Sequence, residues 1–302
     1  MILYGTNPIA WSNDDDWSIG DQFGLEDCLS DCRKIGFDGI EKGHKMPDEG
    51  RALKAALAAY GLRFAAGWFS TNLLVNDIET EKRALRAWID FTRAAGGDHV
   101  NACECSNTVH GNDDVAVNDR PVMTDAEWYR FSRGYEELSR FAHAEGMKMG
   151  YHHHMGTIIE SAADIDRFMQ MAGPHTRLLL DTGHCTFGGA DPAEIARKYM
   201  SRVSHIHAKN VRPQIMREVR EQRLSFLEGV RRGAFTVPGD AEGCVAFEPV
   251  LQIAADHGYS GWLVIEAEQD SAVRAPFHYQ DMGLRALRRM ARQVGLDTGI
   301  ET

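Results

Sequence analysis

The sequence predicts an α/β fold, a (β/α)8 barrel, as a single domain over residues 1–302. Three observations carry this. Short apolar runs alternate with helix-spaced segments along the chain, and that alternation implies a parallel sheet. The unit repeats eight times in 302 residues, which suits a barrel of this size. Polar residues recur at nearly every strand end, where such barrels place their active sites. The competing architecture is an open doubly wound sheet, but no GxGxxG follows the first strand.

Taken in order, residues 2–11 begin apolar and end in Asn7-Pro8-Ile9-Ala10-Trp11, and the polar run 12–16 reads as a loop. Helical spacing covers 23–35. A short strand, 36–41, ends in Glu41. The Ala/Leu-rich helix 48–60 stops at Gly61, and strand 62–69 ends in Gly67-Trp68-Phe69. An amphipathic helix spans 78–95, closed by Gly96-Gly97, and strand 99–104 ends in Glu104. Thr124-Asp125-Ala126-Glu127 has the form of a capping box opening a helix over about 124–145. Strand 147–154 ends in His152-His153-His154, and a helix follows over 161–172.

Leu178-Leu179-Leu180 reads as a strand buried on both faces. It ends in Asp181, a carboxylate that is costly to bury without a cation; the alternative is that Asp181 caps a following helix or turn. Asp191-Pro192 opens the next helix. Strand 203–209 carries His205, His207 and Lys209. Residues 211–240 form a basic, partly helical insertion, expected to be a lid or subunit contact rather than core; a solvated surface excursion is the alternative. A helix near 247–257 leads to strand 262–266, ending in Glu266. A last helix spans about 279–294, with a tail expected to fray.

Net charge is −11, which argues against a nucleic-acid partner. No apolar run reaches the roughly 18 residues of a membrane span, and the N-terminus lacks a secretory signal pattern. The cysteines Cys28, Cys32, Cys103, Cys105, Cys185 and Cys244 form no CxxC pair, which favours reduced thiols and a cytoplasmic setting.

The strand ends therefore collect Trp11, Glu41, Trp68, Glu104, His152 with His154, Asp181, His207 with Lys209, and Glu266. Asp181, His207 and Glu266 are carboxylate and imidazole ligands on three consecutive late strands; a histidine of the preceding strand makes four. Such a set suits Mn²⁺, Co²⁺, Fe²⁺ or Zn²⁺. Alternatives stand beside these readings. His205 or His207 could be a core imidazole, Glu266 could pair with a Lys or Arg, and the tryptophans could be packing. His153 alternates to the face opposite its neighbours.

Several segments resemble one family: Gly67-Trp68-Phe69-Ser70, Tyr151-His152-His153-His154-Met155-Gly156-Thr157, Leu180-Asp181-Thr182-Gly183-His184, His205-Ile206-His207-Ala208-Lys209, Phe235-Thr236-Val237-Pro238-Gly239-Asp240 and Val264-Ile265-Glu266-Ala267-Glu268-Gln269-Asp270. The chain is similar to the inosose dehydratases (2-keto-myo-inositol dehydratases) of inositol catabolism, within the xylose-isomerase-like barrels. The superfamily's metal set is Glu, Asp, His and Glu. The last three resemble Asp181, His207 and Glu266, whereas the first position brings His152 and His154 instead, leaving the fourth ligand open. Asn210 departs similarly, where an acidic residue is expected.

The resemblance implies loss of water from a polyhydroxy cyclic ketone, giving a trihydroxycyclohexane dione. It also implies Mn²⁺ or Co²⁺, sometimes glutathione, and a homo-oligomer acting on a small polyol ketone. A base for the C–H beside the ketone is expected in Lys209, with a pKa lowered by the metal, and an acid for the leaving hydroxyl in His152 or His154. These roles are exchangeable, and His184 is a further candidate for either. The alternative for Lys209 is to bind a hydroxyl or pair with Glu268. Glu41, Trp68, Glu104, Arg212 and Glu268 are expected to bind substrate. Rivals are a metal-dependent sugar isomerase or epimerase on the same barrel, and a barrel that binds a sugar without turnover.

Overall fold

The structure, a computed structural model, describes residues 1–298. The apolar runs form strands β1 (Ile2–Thr6), β2 (Gly39–Ile40), β3 (Arg63–Phe64), β4 (Trp68–Thr71), β5 (His99–Glu104), β6 (Lys148–His152), β7 (Arg177–Asp181), β8 (Val203–His207), β9 (Asn210–Val211), β10 (Phe235–Thr236) and β11 (Gly261–Ile265). Helices α1 (Leu25–Ile35), α2 (Gly50–Ala58), α3 (Ile78–Ala95), α4 (Asp125–Ala144), α5 (Ala162–Met171), α6 (Thr182–Phe187), α7 (Pro192–Tyr199), α8 (Pro213–Glu221), α9 (Phe226–Arg232), α10 (Phe247–Asp256) and α11 (Pro276–Gln293) complete the chain. Residues 299–302 lie outside the described residues, and with them most of the tail expected to fray.

Among the described residues nine strands form one parallel sheet in the order β3-β2-β1-β11-β8-β7-β6-β5-β4. The two ends of that order are pieces of one predicted strand, 62–69. Between them Ala65 N–H donates to Ile40 O at 3.0 Å and Ala66 O accepts from Lys42 N–H at 3.0 Å. On the other side Gly67 O accepts from Asn101 N–H at 3.2 Å. The ring therefore closes through this broken strand, and eight barrel positions result, as predicted. The break is a close approach: a Cβ on Gly67 would lie 2.9 Å from the Trp88 ring and 3.0 Å from Lys42 Cβ.

Helix ends follow their signals. Asp77 caps α3 through Thr80 N–H, Gly96 ends it in the left-handed region, and Thr124 with Glu127 forms the capping box of α4. One helix was not foreseen. Asp181 Oδ1 accepts from His184 N–H at 2.8 Å and so starts α6 directly after β7. The capping alternative for Asp181 is thus correct, and its other oxygen still faces the strand ends.

Trp11 corrects the first strand. β1 stops at Thr6, residues 8–10 make a 3-10 turn, and Trp11 is buried in the main core with its Nε1–H on Asp31 Oδ2 at 3.0 Å. Asn7 takes the strand end instead. The insertion carries its own apolar cluster: Val219, Phe226, Leu227, Val230 and Phe235 pack with Ile19, Val117, Met155 and Phe187. Its two ends pair as the antiparallel ribbon β9–β10, and Asn210 Oδ1 accepts from the Val211 and Val245 amides at 2.9 Å each. No helix among the described residues is long and apolar enough to cross a membrane.

Candidate active site

The catalytic end of the barrel encloses a cavity of about 360 Å³, lined by Asn7, Asp15, Glu41, Trp68, Asn101, His110, His152, His154, His207, Glu266 and Glu268 among others. Parallel strands bring these together because every strand ends on the same rim. Asp181 pairs in register with His207 across β7 and β8, and His207 pairs with Val264 of β11, two residues before Glu266.

Four donor side chains converge at the cavity floor. His152 Nε2 lies 3.3 Å from Asp181 Oδ2, and His207 Nδ1 lies 3.5 Å from Asp181 Oδ2 and 2.9 Å from Glu266 Oε2. All are buried. Two carboxylates and two imidazoles at this separation, without thiolate, fit a first-row divalent ion. Ligand atoms of His152, Asp181, His184 and Glu266 also lie within 4.8 Å of one another, as do those of the neighbouring trio Glu41, His205 and His207.

Glu41 lies beside the donor set. Its Oε1 accepts from Asn101 Nδ2 at 2.7 Å, from His205 Nε2 at 2.9 Å and from His207 Nε2 at 3.1 Å. Asn7 Nδ2 bridges Glu41 Oε2 at 2.8 Å and Glu266 Oε1 at 3.1 Å. Burial alone would raise the Glu41 carboxyl; His207 and His205 outweigh it and hold it well below the usual range. Burial likewise disfavours charge on His207, but Glu266 and Glu41 push its pKa well above the ordinary value. The bond to Glu41 fixes the proton on Nε2 and turns Nδ1 toward the carboxylates of Asp181 and Glu266.

Lys209 departs from expectation. It is 0% exposed and stands outside the cavity lining. Its ammonium lies 2.6 Å from Glu268 Oε1, 2.8 Å from Glu266 Oε2 and 3.5 Å from Asp181 Oδ2, and donates to His184 Nε2 at 2.8 Å. Burial pulls its pKa down, but Asp181, Glu266 and Glu268 outweigh burial and raise it above the ordinary lysine value. The pairing alternative with Glu268 describes this geometry. His184 is spoken for by the same ammonium and does not line the cavity.

His154 does line it. Its Nδ1–H donates to Met155 O at 2.8 Å, and its Nε2 lies 4.0 Å from Glu268 Oε1. Burial, with His184 and His110 adding repulsion, lowers its pKa well below the ordinary value, so the ring is neutral. Trp68 walls both histidines edge-on, at ring distances of 5.4 Å from His152 and 5.7 Å from His154. His153 turns away, as alternation requires, and its Nε2 accepts from Asp181 N–H at 3.3 Å.

Two expected substrate contacts lie elsewhere. Glu104 is buried outside the cavity lining, where it accepts from Thr71 Oγ1 and Leu73 N–H at 2.9 Å each and from Ser106. It ties β4 to β5. Arg212 binds the insertion's base, donating to Gly233 O at 2.8 Å, Phe235 O at 3.1 Å, Asp240 at 2.6 Å and Glu242 at 2.7 Å. Glu268 does face the cavity, and its Oε2 is a buried oxygen without a hydrogen-bond partner among the described residues. Sequence reasoning missed Asn7, Asn101, His110 and Asp15 as lining residues. Asn7 and Asn101 stood on or beside strands whose ends were read, while His110 and Asp15 come from loops with no spacing signal.

The xylose isomerase-like TIM barrel family model matches residues 29–292. An inosose dehydratase of Clostridium botulinum (strain Alaska E43 / Type E3) is 38% identical over 292 residues, 96% of this chain and 97% of that protein. The rhizopine catabolism protein MocC of Rhizobium meliloti is 39% identical over 97% of this chain and 90% of its own. Among solved structures, the IOLI protein with a binding zinc atom superposes with a TM-score of 0.68 at 14% identity, over 97% of this chain and 99% of that one. With identity of this extent along nearly the whole chain, and a family model that covers most of it, the protein belongs to the inosose dehydratase family of the xylose isomerase-like TIM barrels.

Proposed function

We propose that this protein removes water from an inosose, a cyclic polyhydroxy ketone, to give a trihydroxycyclohexane-1,2-dione. The observation that carries the reading is an imidazole, His154, whose Nδ1 is tied to Met155 O and which lines a polar cavity beside a buried carboxylate–imidazole cluster. Asp181, His207 and Glu266 would hold a divalent metal, with His152 as fourth ligand at the position where relatives on this barrel bring Glu. When bound, such an ion supplies positive charge beside the ketone and so favours loss of the neighbouring proton. His154 Nε2 takes that α-proton. Lys209, fixed and charged, holds Glu268 and Glu266 in place and offsets part of their negative charge. Glu268, Glu41 and Trp68 shape the cavity for ring hydroxyls.

An isomerase on the same barrel would use a carboxylate base from β6, and His152 stands there instead. The insertion is read as a lid: Phe226 and Phe235 rest on the rings of His154 and His184 at 5.0 and 5.2 Å. The six free cysteines support a reducing, cytoplasmic setting, and a homo-oligomer completes the reading. Purified protein with inosose and Mn²⁺ or Co²⁺ should develop the dione's absorbance as one water is lost by mass, and omission of glutathione decides whether it takes part. His154→Gln should lose exchange of the substrate α-proton with deuterated solvent. No dione with any divalent metal refutes the reading.

A further inference from the structure

The sheet order sets β6 opposite β1. Counting round the ring, with β3 and β4 as one strand, four positions separate them in either direction. His154 follows β6. The loop that follows β1 carries Asp14 and Asp15 to the far wall of the same cavity. The two walls thus present different groups to opposite sides of whatever the cavity holds.

The loop is built to hold its carboxylates in place. Buried Asn13 accepts at Oδ1 from the amides of Asp15 at 2.7 Å and Asp16 at 2.9 Å. Asp16 is gripped by Arg231 of the insertion at 2.7 Å, and the same guanidinium holds Asp113 at 2.8 Å. Asp14 accepts from His44 Nδ1 at 2.6 Å and from His44 N–H at 3.0 Å. Asp15 differs from both neighbours: its carboxyl makes no hydrogen bond or ion pair among the described residues.

Resting on the dehydratase reading, we infer that Asp15 is the catalytic acid that protonates the departing hydroxyl, on the face of the ring opposite His154. In balanced form, the α C–H bond breaks and its proton passes to His154 Nε2. The electron pair becomes the new C=C bond, the β C–O bond breaks, and the hydroxyl leaves as water with the proton of Asp15. The enol so formed tautomerises to the dione, and solvent restores both groups. A base and an acid on opposed walls suit an anti elimination.

The protonation state agrees with the role. Asp15 is exposed at the mouth of the cavity; the surrounding walls still desolvate its carboxyl, and repulsion from Glu268, Asp14 and Glu266, with Lys209 opposing, adds to that, so it is raised from its ordinary value to about 7. A carboxyl in that range holds its proton in a large share of molecules at neutral pH and still donates readily.

The test compares two substrates, inosose and an analogue with fluoride in place of the leaving hydroxyl, since fluoride departs without an acid. Asp15→Asn should slow dione formation from inosose by about 10²-fold or more. It should leave fluoride release within a few-fold of wild type and retain α-proton exchange. Asp15→Glu should recover part of the rate on inosose. Equal losses on both substrates, lost exchange, or a wild-type rate on inosose would overturn the inference. Failure of the parent reading looks different, because the wild-type protein would then make no dione at all.

Discussion

Replacing Lys209 by Met removes a buried ammonium from among Glu268, Glu266 and Asp181 while keeping the length of the stem. The three carboxylates lie 2.6, 2.8 and 3.5 Å away and the lysine is 0% exposed, so no water screens what is left. Breaking a buried pair by deleting one partner costs about 3–5 kcal/mol. Unfolding entropy of about 2.1 cal/mol/K per residue, over 302 residues, gives roughly 0.6 kcal/mol per degree, so the melting temperature should fall by about 5–8 °C. A divalent ion compensates the same carboxylates, so added Mn²⁺ should recover more of that loss in Lys209→Met than it adds to wild type; occupancy at a hundredfold over Kd is worth about 2.7 kcal/mol. The assay is thermal melting with chelator and with Mn²⁺, alongside α-proton exchange in deuterated solvent. A variant melting within a degree of wild type in chelator would refute the electrostatic account. Folded, substrate-binding Lys209→Met without exchange would return the role of base to the lysine.

Glu41→Gln keeps one acceptor oxygen but loses the charge that orders His207, so divalent affinity measured by competition with a chelating dye should weaken by about 10–100-fold; a rise in KM alone would restore the substrate-binding expectation. Arg212→Ala takes a donor from two carbonyls and the guanidinium from Asp240, which keeps only Thr236 Oγ1 and the Glu242 amide, an expected loss of about 2–4 kcal/mol in urea unfolding with KM little changed. A raised KM with full stability would instead place the guanidinium at the substrate. His99 is held well below its ordinary pKa by burial and by His205. Its unfolded form takes up a proton near pH 6.5 and its folded form does not, so this contribution is complete above about pH 6.5. It is lost as pH falls, at up to about 1.4 kcal/mol per unit. Urea unfolding of His99→Gln at pH 7 and pH 5 should show a smaller acid loss than wild type, and identical losses would refute the assignment.

What the sequence made legible follows from period and position. The bounds of α3 and β5 coincide with prediction because each carries one clean periodicity between firm stops, Asp77 with Gly96 and Gly97 with a terminal carboxylate. Asp181, His207 and Glu266 were legible because a parallel barrel puts all strand ends on one rim. Lateral relations were not. Glu41 sits at a strand end as predicted, yet the register of β2 against β1 and the reach of β8 aim it at His205 and His207 rather than at open cavity alone. His205 offered a signal, since it lies two residues before His207 and shares its face. Asp15 and His110 offered none, because loop residues reach the cavity through turns such as the one Asn13 forms, which no periodicity encodes. Glu104 and Arg212 show the converse: a charged residue at the right level of the barrel is consumed by whatever backbone it meets first.

The histidine at the end of β6 fits the rest of the site on electrostatic grounds. Glu41, Asp181, Glu266 and Glu268 are already four buried carboxylates at this end of the barrel. A fifth at position 152 would lie 3.3 Å or so from Asp181 Oδ2, where His152 Nε2 now stands, and would add repulsion in a region with little water. An imidazole offers a ligand atom without adding a carboxylate's charge. It also allows the ammonium of Lys209 to remain the fixed counter-charge of Glu266 and Glu268, since no further carboxylate competes for it. With lysine committed to that task, proton transfer falls to groups that keep a free lone pair or a loosely held proton at neutral pH. In the proposed mechanism those are His154 on one wall of the cavity and Asp15 on the other.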